Sequence, residues 1–164
     1  MRTGAGDMSL RPAGPGDREL LFSWANDVAT RAASFHPGHI DRATHDAWFA
    51  RRLTAEHERI WIGEIDGRSI GQVRVERIEE GRAEVSISVA SADRGRGLAR
   101  SLLLACIAAA ERELGVTTFV AAVRPDNAPS LALFRAANFS EESQAEHDGI
   151  ACLILVRREE PLGR

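Results

Sequence analysis

A stretch of six residues concentrates glycine and arginine in a way that could do chemistry: Arg94-Gly95-Arg96-Gly97-Leu98-Ala99. It lies between an alternating strand pattern and an Ala/Leu-rich helical run. A glycine-rich turn lets successive backbone N–H groups point into one concavity, and the helix start behind it adds partial positive charge. The guanidinium groups of Arg94, Arg96 and Arg100 add full charges. The segment therefore predicts an anion site suited to a diphosphate. The alternative is an arginine-rich surface turn with no ligand.

Two absences limit the chemistry. All 21 basic residues are arginine, and the chain has no lysine and no tyrosine. Without lysine there is no Schiff-base nucleophile and no P-loop lysine, and the spacing and missing third glycine exclude a dinucleotide-binding fingerprint. Without tyrosine, any step that needs a phenolic acid must use another group.

Composition indicates one ordinary globular domain. At 164 residues, 44% hydrophobic and net charge −3, the chain is long enough for a core and lacks the basic balance of a broad nucleic-acid surface. No charge-free apolar run is long enough to cross a membrane. Residues 1–7 lack an apolar signal core and are expected to be a disordered tail before a domain at 8–164. The cysteines Cys106 and Cys152 lie far apart in apolar segments, as buried residues of a cytoplasmic protein do.

The hydrophobic periodicity predicts four helices and seven strands in the order β, α, α, β, β, β, α, β, α, β, β. One helix begins at Asp17 and continues past Val28, and a second is capped by Asp41 or Thr44. Asp66-Gly67 predicts a tight hairpin. The mixture of an antiparallel meander with later α/β units predicts a mixed α/β sheet. The predicted strands are 9–11, 60–65, 70–75, 85–89, 117–123, 139–144 and 150–156, and the later helices are 97–114 and 128–137.

With these elements in place, the sequence resembles the GNAT superfamily of acetyl-CoA-dependent N-acetyltransferases. Arg94, Gly97 and Ala99 match the superfamily's pyrophosphate loop, between the fourth strand and the third predicted helix. Downstream, Asn127, Ser130, Phe134 and Asn138-Phe139 are similar to its Asn-x-x-Ser-x-x-x-Tyr and Gly-Phe pattern. The resemblance extends over residues 9–156.

The resemblance implies a GNAT fold, in which a mixed, mostly antiparallel sheet of six to seven strands is flanked by four helices and splays between strands 4 and 5. It implies acetyl-CoA as cofactor, with CoA as product and no metal. Pantetheine would dock beside strand 4 like an added strand, and the loop amides would hold the pyrophosphate. The implied cofactor-binding residues are Ile87, Ser88, Val89, Arg94, Gly95, Arg96, Gly97, Leu98, Ala99, Arg100, Asn127, Ser130 and Phe134.

The resemblance also implies a mechanism of direct attack by a neutral amine. Glu84 is the candidate general base, and the Val89 amide would polarise the thioester carbonyl. The alternative for Glu84 is an exposed charge opposite Arg82 or Arg74. Phe134 departs from the superfamily's tyrosine, which protonates the leaving thiolate. Either Ser130, His147 or an ordered water substitutes, or the CoA thiolate leaves unprotonated. Asn138 replaces a glycine, and as the next-best left-handed residue it should preserve the turn.

The N-terminal half resembles the nucleotide-amino-sugar N-acetyltransferases of pseudaminic acid biosynthesis. The matching residues include Trp24, Asn26-Asp27, Ser34-Phe35 and Ile40. The implied reaction acetylates the 4-amino group of a nucleotide-linked amino-deoxysugar. The implied acceptor-binding residues are Arg31, Phe35, His45, Trp48, Phe49 and Ser86, although the aromatic residues also fit core packing and His45 also fits a helix cap.

Other functions stay open. Rim-type N-terminal acetyltransferases of ribosomal proteins share Leu10-Arg11-Pro12 and the Trp24-Ala25-Asn26-Asp27 stretch. An aminoglycoside or other small-amine acetyltransferase and a non-catalytic acetyl-CoA-binding domain are further alternatives. We expect a small-molecule partner, no nucleic acid and no membrane, and a monomer or homodimer. The scattered histidines, of which His36 and His39 are closest in sequence, do not predict a metal site.

Overall fold

The computed structural model describes residues 7–160, which build one seven-stranded sheet in the order β1-β2-β3-β4-β5-β7-β6. Every neighbouring pair of strands is antiparallel except β4 and β5, which are parallel. The predicted mixed sheet is therefore confirmed. The strands are β1 (Ser9–Pro12), β2 (Glu58–Ile65), β3 (Arg68–Glu79), β4 (Arg82–Val89), β5 (Thr118–Val123), β6 (Ser140–His147) and β7 (Ile150–Arg158).

Five α-helices surround the sheet, not four: α1 (Arg18–Ala25), α2 (Val28–Ala33), α3 (Arg42–Thr54), α4 (Leu98–Leu114) and α5 (Ala128–Ala136). The prediction of one helix from Asp17 past Val28 was wrong. The Asp27 carboxylate accepts the Thr30 N–H at 3.1 Å, so it starts a new helix, and Val28 is 86% exposed. The Asn26 side chain exchanges two hydrogen bonds with the backbone of Ile40, at 2.8 and 3.0 Å. These bonds fix the chain where α1 ends.

Several predicted turns and caps are confirmed. Asp66 and Gly67 both have positive φ, 52° and 75°, as a tight hairpin between β2 and β3 requires. Asp41 caps α3 by accepting the Thr44 N–H at 2.8 Å. Asn138 adopts φ 64° after α5, so asparagine does preserve the left-handed turn there.

The two faces of the sheet differ in what covers them. One face packs against α4 and α5 in the main core, around Phe119, Leu102 and Leu155. The other is covered over β1 to β3 by α1 and α3, through the cluster Leu21, Phe49, Ile60 and Ile62. Beyond that cluster, this second face carries polar side chains on β3 and β4. We call the space over these side chains the acceptor cleft, and its floor residues are Gln72, Arg74, Glu84, Ser86 and Ser88.

Both cysteines are free and buried, as predicted. Burial raises the pKa of the Cys106 and Cys152 thiols, which makes them poor nucleophiles. Within residues 7–160, no helix is both long and apolar enough to cross a bilayer. The predicted tail at residues 1–7 lies outside the described part of the chain, apart from Asp7, which is exposed.

Candidate active site

The central strands β4 and β5 separate after Glu84 and Val120, their last paired residues. β4 pairs with β5 only through Arg82, Ala83 and Glu84, whereas its pairing with β3 continues to Val89. The expected splay between strands 4 and 5 is therefore present. It leaves the backbone edge of residues 86–89 open to an extended ligand chain, which is the geometry of strand addition.

The hydrogen-bond pattern of β4 shows which backbone groups face this gap. The Ala90 N–H donates to the Ile70 carbonyl at 2.8 Å. Partners alternate along an antiparallel pair, so residues 88, 86 and 84 also bond to β3. The N–H groups of Ile87 and Val89 consequently point away from β3, towards the gap. A thioester carbonyl seated there would meet the Val89 amide.

At the mouth of the gap lies the glycine loop, residues 94–99. Gly95 and Gly97 both have φ 74°, and an added Cβ at either would meet no atom within 4 Å. Their backbone is therefore uncovered. Gly97 is the N-cap of the 17-residue helix α4, whose first N–H groups lack intrahelical partners. Loop and helix start together present main-chain donors to an anion.

The arginines of this loop are already engaged by protein groups. Arg94 donates to the Asp27 carboxylate at 2.7 Å and to the Val89 carbonyl at 3.1 Å. Arg96 donates to the buried Asp93 at 3.1 Å, and Arg100 to the Ala136 carbonyl at 3.3 Å. The candidate anion site is therefore made by main-chain amides, and the guanidinium groups stabilise the loop through these hydrogen bonds. Arg94 also ties the loop to the start of α2.

The second motif opens and closes helix α5. The Asn127 side chain accepts the Ser130 N–H at 3.3 Å, which is an ordinary N-cap. Phe134, one turn after Ser130, is only 4% exposed and packs edge-to-face on Phe139 with centroids 5.0 Å apart. The ring in the tyrosine position of the motif thus belongs to the core.

Glu84 lies at the point where the sheet opens. It is half-buried, and its cross-strand neighbour on β3 is Glu76, not Arg82 or Arg74. Within residues 7–160, no basic group pairs with its carboxylate within 4.0 Å, whereas Glu76 is paired with Arg52. Ser86 and Ser88 follow on the same face. Glu84 is therefore a carboxylate without an ion-pair partner, on the strand that leads into the gap.

Arg74 is a floor residue that sequence reasoning treated only as a possible partner of Glu84. It lies on β3 opposite Ser86, and its guanidinium carbon is 5.3 Å from the centre of the Trp48 ring. In the described part of the chain it makes neither a hydrogen bond nor an ion pair. Desolvation by the surrounding protein lowers the pKa of Arg74, with Arg52 adding to this effect and Glu84 opposing it.

His45 is buried next to Trp48, the residue that contacts Arg74. It is 3% exposed, and its ring packs against Phe22, Trp48 and Phe49. Among the residues described, neither ring nitrogen has a hydrogen-bond partner, and the buried Gln72 Oε1 also lacks one. Buried polar atoms are normally hydrogen-bonded, so these atoms are candidate contacts for a ligand or a water molecule.

The burial of His45 gives a prediction about stability. Desolvation lowers the pKa of His45 below its ordinary 6.5. Below pH 6.5 the unfolded chain therefore binds a proton that the folded protein does not, so stability falls as the pH drops. We expect His45→Phe to reduce the loss of stability between about pH 7 and pH 5, measured by urea unfolding. The exposed His57→Gln is the matched control, and equal pH slopes for wild type and His45→Phe would refute the assignment.

The remaining acceptor-side residues hold the loop after α2. Arg31 donates to the carbonyls of Ala25 at 2.6 Å and His36 at 2.7 Å. Phe35 stacks on His147 at 4.6 Å, and His36 Nε2 contacts Asp148 at 2.7 Å. These contacts join the loop to the β6–β7 hairpin. Of the predicted acceptor-binding residues, Phe49 lies in the core at 3% exposure, because α3 presses it onto β2, and so does not line the cleft.

Comparison with known proteins decides the family. The family model described as acetyltransferase (GNAT) domain matches residues 7–140. The chain belongs to the GNAT acetyltransferase family. This GNAT chain is 31% identical over 147 residues to an L-methionine sulfoximine/L-methionine sulfone acetyltransferase of Pseudomonas aeruginosa, covering 86% of this chain and 85% of the relative.

Solved structures agree on the fold. A spermidine N-acetyltransferase from Vibrio cholerae, in complex with CoA and spermine, superposes with a TM-score of 0.82 at 18% identity, covering 94% of this chain and 96% of that one. An aminoglycoside acetyltransferase in complex with coenzyme A gives 0.81 at 16% identity, covering 93% and 95%. The expected GNAT fold and acetyl-CoA-dependent enzyme class are confirmed. At these identities the structures do not identify the acceptor of this GNAT enzyme.

Proposed function

We propose that this GNAT enzyme transfers the acetyl group of acetyl-CoA directly to the primary amine of a small acceptor in a ternary complex. The observation that carries the proposal is the position of Glu84, a half-buried carboxylate without an ion-pair partner, on the strand that leads into the β4–β5 gap. The two free buried thiols are typical of a cytoplasmic protein, which fits acetyl-CoA as the donor. We expect the enzyme to act as a monomer or homodimer.

Acetyl-CoA supplies an activated thioester, and the chain supplies binding, polarisation and a base. The residue 94–99 loop and the start of α4 hold the pyrophosphate through main-chain N–H groups. The open edge of Ile87, Ser88 and Val89 binds the pantetheine arm, with Asn127 and Ser130 on its other side and Phe134 in the core beneath α5. The Val89 N–H donates to the carbonyl oxygen as negative charge develops there.

Glu84 accepts the proton that the acceptor ammonium must lose, directly or through a water molecule. An amine attacks only when neutral, and most primary amines are protonated at pH 7, so a carboxylate beside the acceptor raises the reactive fraction at the moment of attack. With no tyrosine in the chain, we assign to Ser130, one turn ahead of Phe134 on α5, a hydrogen bond to the departing thiolate, which takes its proton from water.

Our first candidate acceptor is a nucleotide-linked amino-deoxysugar. The stretch from Trp24 to Trp48 resembles enzymes of that chemistry, and the structure puts Trp48 beside Arg74 at the cleft floor. An exposed aromatic face can stack on a sugar or base, and a guanidinium can bind a diphosphate. Acceptor binding would also involve Phe35 and Arg31 in and before the loop after α2, His45 next to Trp48, and Ser86 on the floor.

A second candidate is an amino acid or amino-acid analogue. It is favoured by the relative at 31% identity that is named for methionine sulfoximine and methionine sulfone. Both candidates combine a primary amine with an anionic group. Aminoglycosides, polyamines and protein N-termini are the alternatives from the rest of the superfamily.

A panel of acceptors tests the proposal. We would measure CoA thiol release from acetyl-CoA with a UDP-4-amino-sugar, methionine sulfoximine, spermidine, kanamycin and an N-terminal ribosomal peptide. We expect turnover with one or both of the first two and slower release with the others. Tight CoA binding without release for any acceptor would support the non-catalytic alternative and refute the proposal.

A further inference from the structure

We infer that Arg74 is an anion-binding residue of the acceptor cleft, so that the amine acetylated by this enzyme carries a carboxylate or phosphate group. The inference deepens the proposed function and rests on it for the identity of the reacting group.

The position of Arg74 is set by the register of the sheet. It is opposite Ser86 on β4 and opposite Ile60 on β2, so its side chain leaves the sheet on the same face as Glu84. On that face α3 packs on β2. The Trp48 side chain of α3 extends to β3, where its ring centre lies 5.3 Å from the Arg74 guanidinium. Arg74 therefore stands where the covered part of this face meets the open part.

Two of the three carboxylates near Arg74 are paired with Arg52. Arg52 pairs with Glu58, which is 8% exposed, and with Glu76 at 3.1 Å. Glu84 is close enough to favour the charged form of Arg74, but the two make no ion pair within 4.0 Å. A half-buried guanidinium without a bonded anion is costly for a folded protein. Its cost is offset when a ligand supplies the anion.

One polar atom of the cleft floor, and a histidine packed against Trp48, also lack partners among the described residues. Both ring nitrogens of His45 and the Gln72 Oε1 are buried and unpartnered within residues 7–160. Gln72 is the next residue along from Arg74 on the same face of β3, opposite Ser88. A polar acceptor lying along this row would meet the Gln72 amide, the Arg74 guanidinium and the Glu84 carboxylate in turn. The row thus has the donors and acceptors of a built site.

The spacing suits an acceptor whose amine and anion are a few bonds apart or joined by a sugar. Arg74 and Glu84 are diagonal neighbours on adjacent strands, whose Cα atoms are typically about 7–8 Å apart. An amine at Glu84 would leave a carboxylate or phosphate within reach of the Arg74 side chain.

The test uses Arg74→Gln and Arg74→Lys in the full chain, with Arg77→Gln as the matched control. Arg77 is an exposed arginine on the same strand, on the opposite face. Binding of methionine sulfoximine and of a UDP-4-amino-sugar to the CoA complex is measured by calorimetry, which does not depend on turnover. We expect about tenfold or greater weakening in Arg74→Gln, partial retention in Arg74→Lys, and no change in Arg77→Gln.

Kinetics and stability separate anion binding from a structural role. We expect Arg74→Gln to raise KM for the anionic acceptor while kcat and the KM for acetyl-CoA change little, and the rate with the decarboxylated analogue to stay at the wild-type level. The Tm of Arg74→Gln should stay close to that of wild type, because the guanidinium has no bonded anion in the described part of the chain and only its stacking on Trp48 is lost.

Several outcomes would overturn the inference. One is a wild-type CoA complex that binds no anionic acceptor, and another is an Arg74→Gln variant that binds it as wild type does. An equal loss of rate with anionic and neutral amines, together with a lower Tm, would assign Arg74 to structure alone. If wild type acetylates amines without preference for anionic ones, the subsite fails while the proposed acetyl transfer stands. The two acceptors distinguish a carboxylate source from a phosphate source.

Discussion

Replacing Glu84 with glutamine is expected to lower kcat/KM at pH 7 by about 100-fold, the smaller end of what a positioned base contributes. Glutamine keeps the size and polarity of the side chain but cannot accept a proton. The acceptor must then lose its proton to bulk water. The deficit should shrink as the pH rises towards the pKa of the amine, because the neutral acceptor becomes abundant without help.

The measurement is a pH–rate profile of kcat/KM for the acceptor, with Tm recorded alongside. Glu80→Gln is the matched control, since Glu80 is an exposed carboxylate in the turn just before β4. It should behave as wild type. A Glu84→Gln profile that has the wild-type shape and height would show that another group, or solvent alone, takes the proton.

The second large effect concerns the glycine loop. Gly97→Val is expected to raise KM for acetyl-CoA by about tenfold or more, because Gly97 has φ 74° and a β-branched residue resists that conformation. To relieve the strain, the loop must rotate the N–H groups that we propose bind the pyrophosphate. The added side chain also covers backbone that the ligand approaches.

Gly115→Val provides the comparison. Gly115 ends the same helix, has φ 64°, and likewise has open space around a built Cβ. Its replacement should cost similar stability while leaving KM for acetyl-CoA unchanged. Equal increases in KM for the two variants would mean that strain in α4, and not the main-chain donors of the loop, explains the effect.

The conformation of the glycine loop was predictable from sequence because it is local. The loop at residues 94–99, its strand and its helix are consecutive, and glycine marks the two positions that need positive φ. The same applies to Asp66-Gly67 and Asn138, where backbone conformation and residue type correspond directly. The sheet followed from alternation along β4 and from the motifs of the GNAT family.

The acceptor side was predicted less well because it is assembled from distant segments. Arg74 alternates with Val73 and Val75, which predicts only that it leaves the core face. That Trp48 would cover it, and that Arg52 would take Glu76, depends on how α3 packs. The Arg94–Asp27 pair joins residues 67 apart, and His36–Asp148 joins residues 112 apart. No spacing rule connects such residues.

The break between α1 and α2 shows that local hydrogen bonds can override hydrophobic periodicity. Leu21, Trp24 and Val28 have helical spacing, so periodicity favoured one helix. The Asp27 carboxylate replaces the intrahelical partner of the Thr30 N–H, and the Asn26 side chain satisfies backbone groups of Ile40 that a continuous helix would leave to water.

The central claim is direct transfer from acetyl-CoA to an acceptor amine, with Glu84 as the base. A rapid-quench experiment over a single turnover tests it most directly, with labelled acetyl-CoA and the acceptor that proves active in the panel. The account predicts one N-acetylated acceptor for each CoA released and no label on the protein at any time. Acetyl groups that appear on the protein first, or CoA released without an acetylated amine, would contradict it.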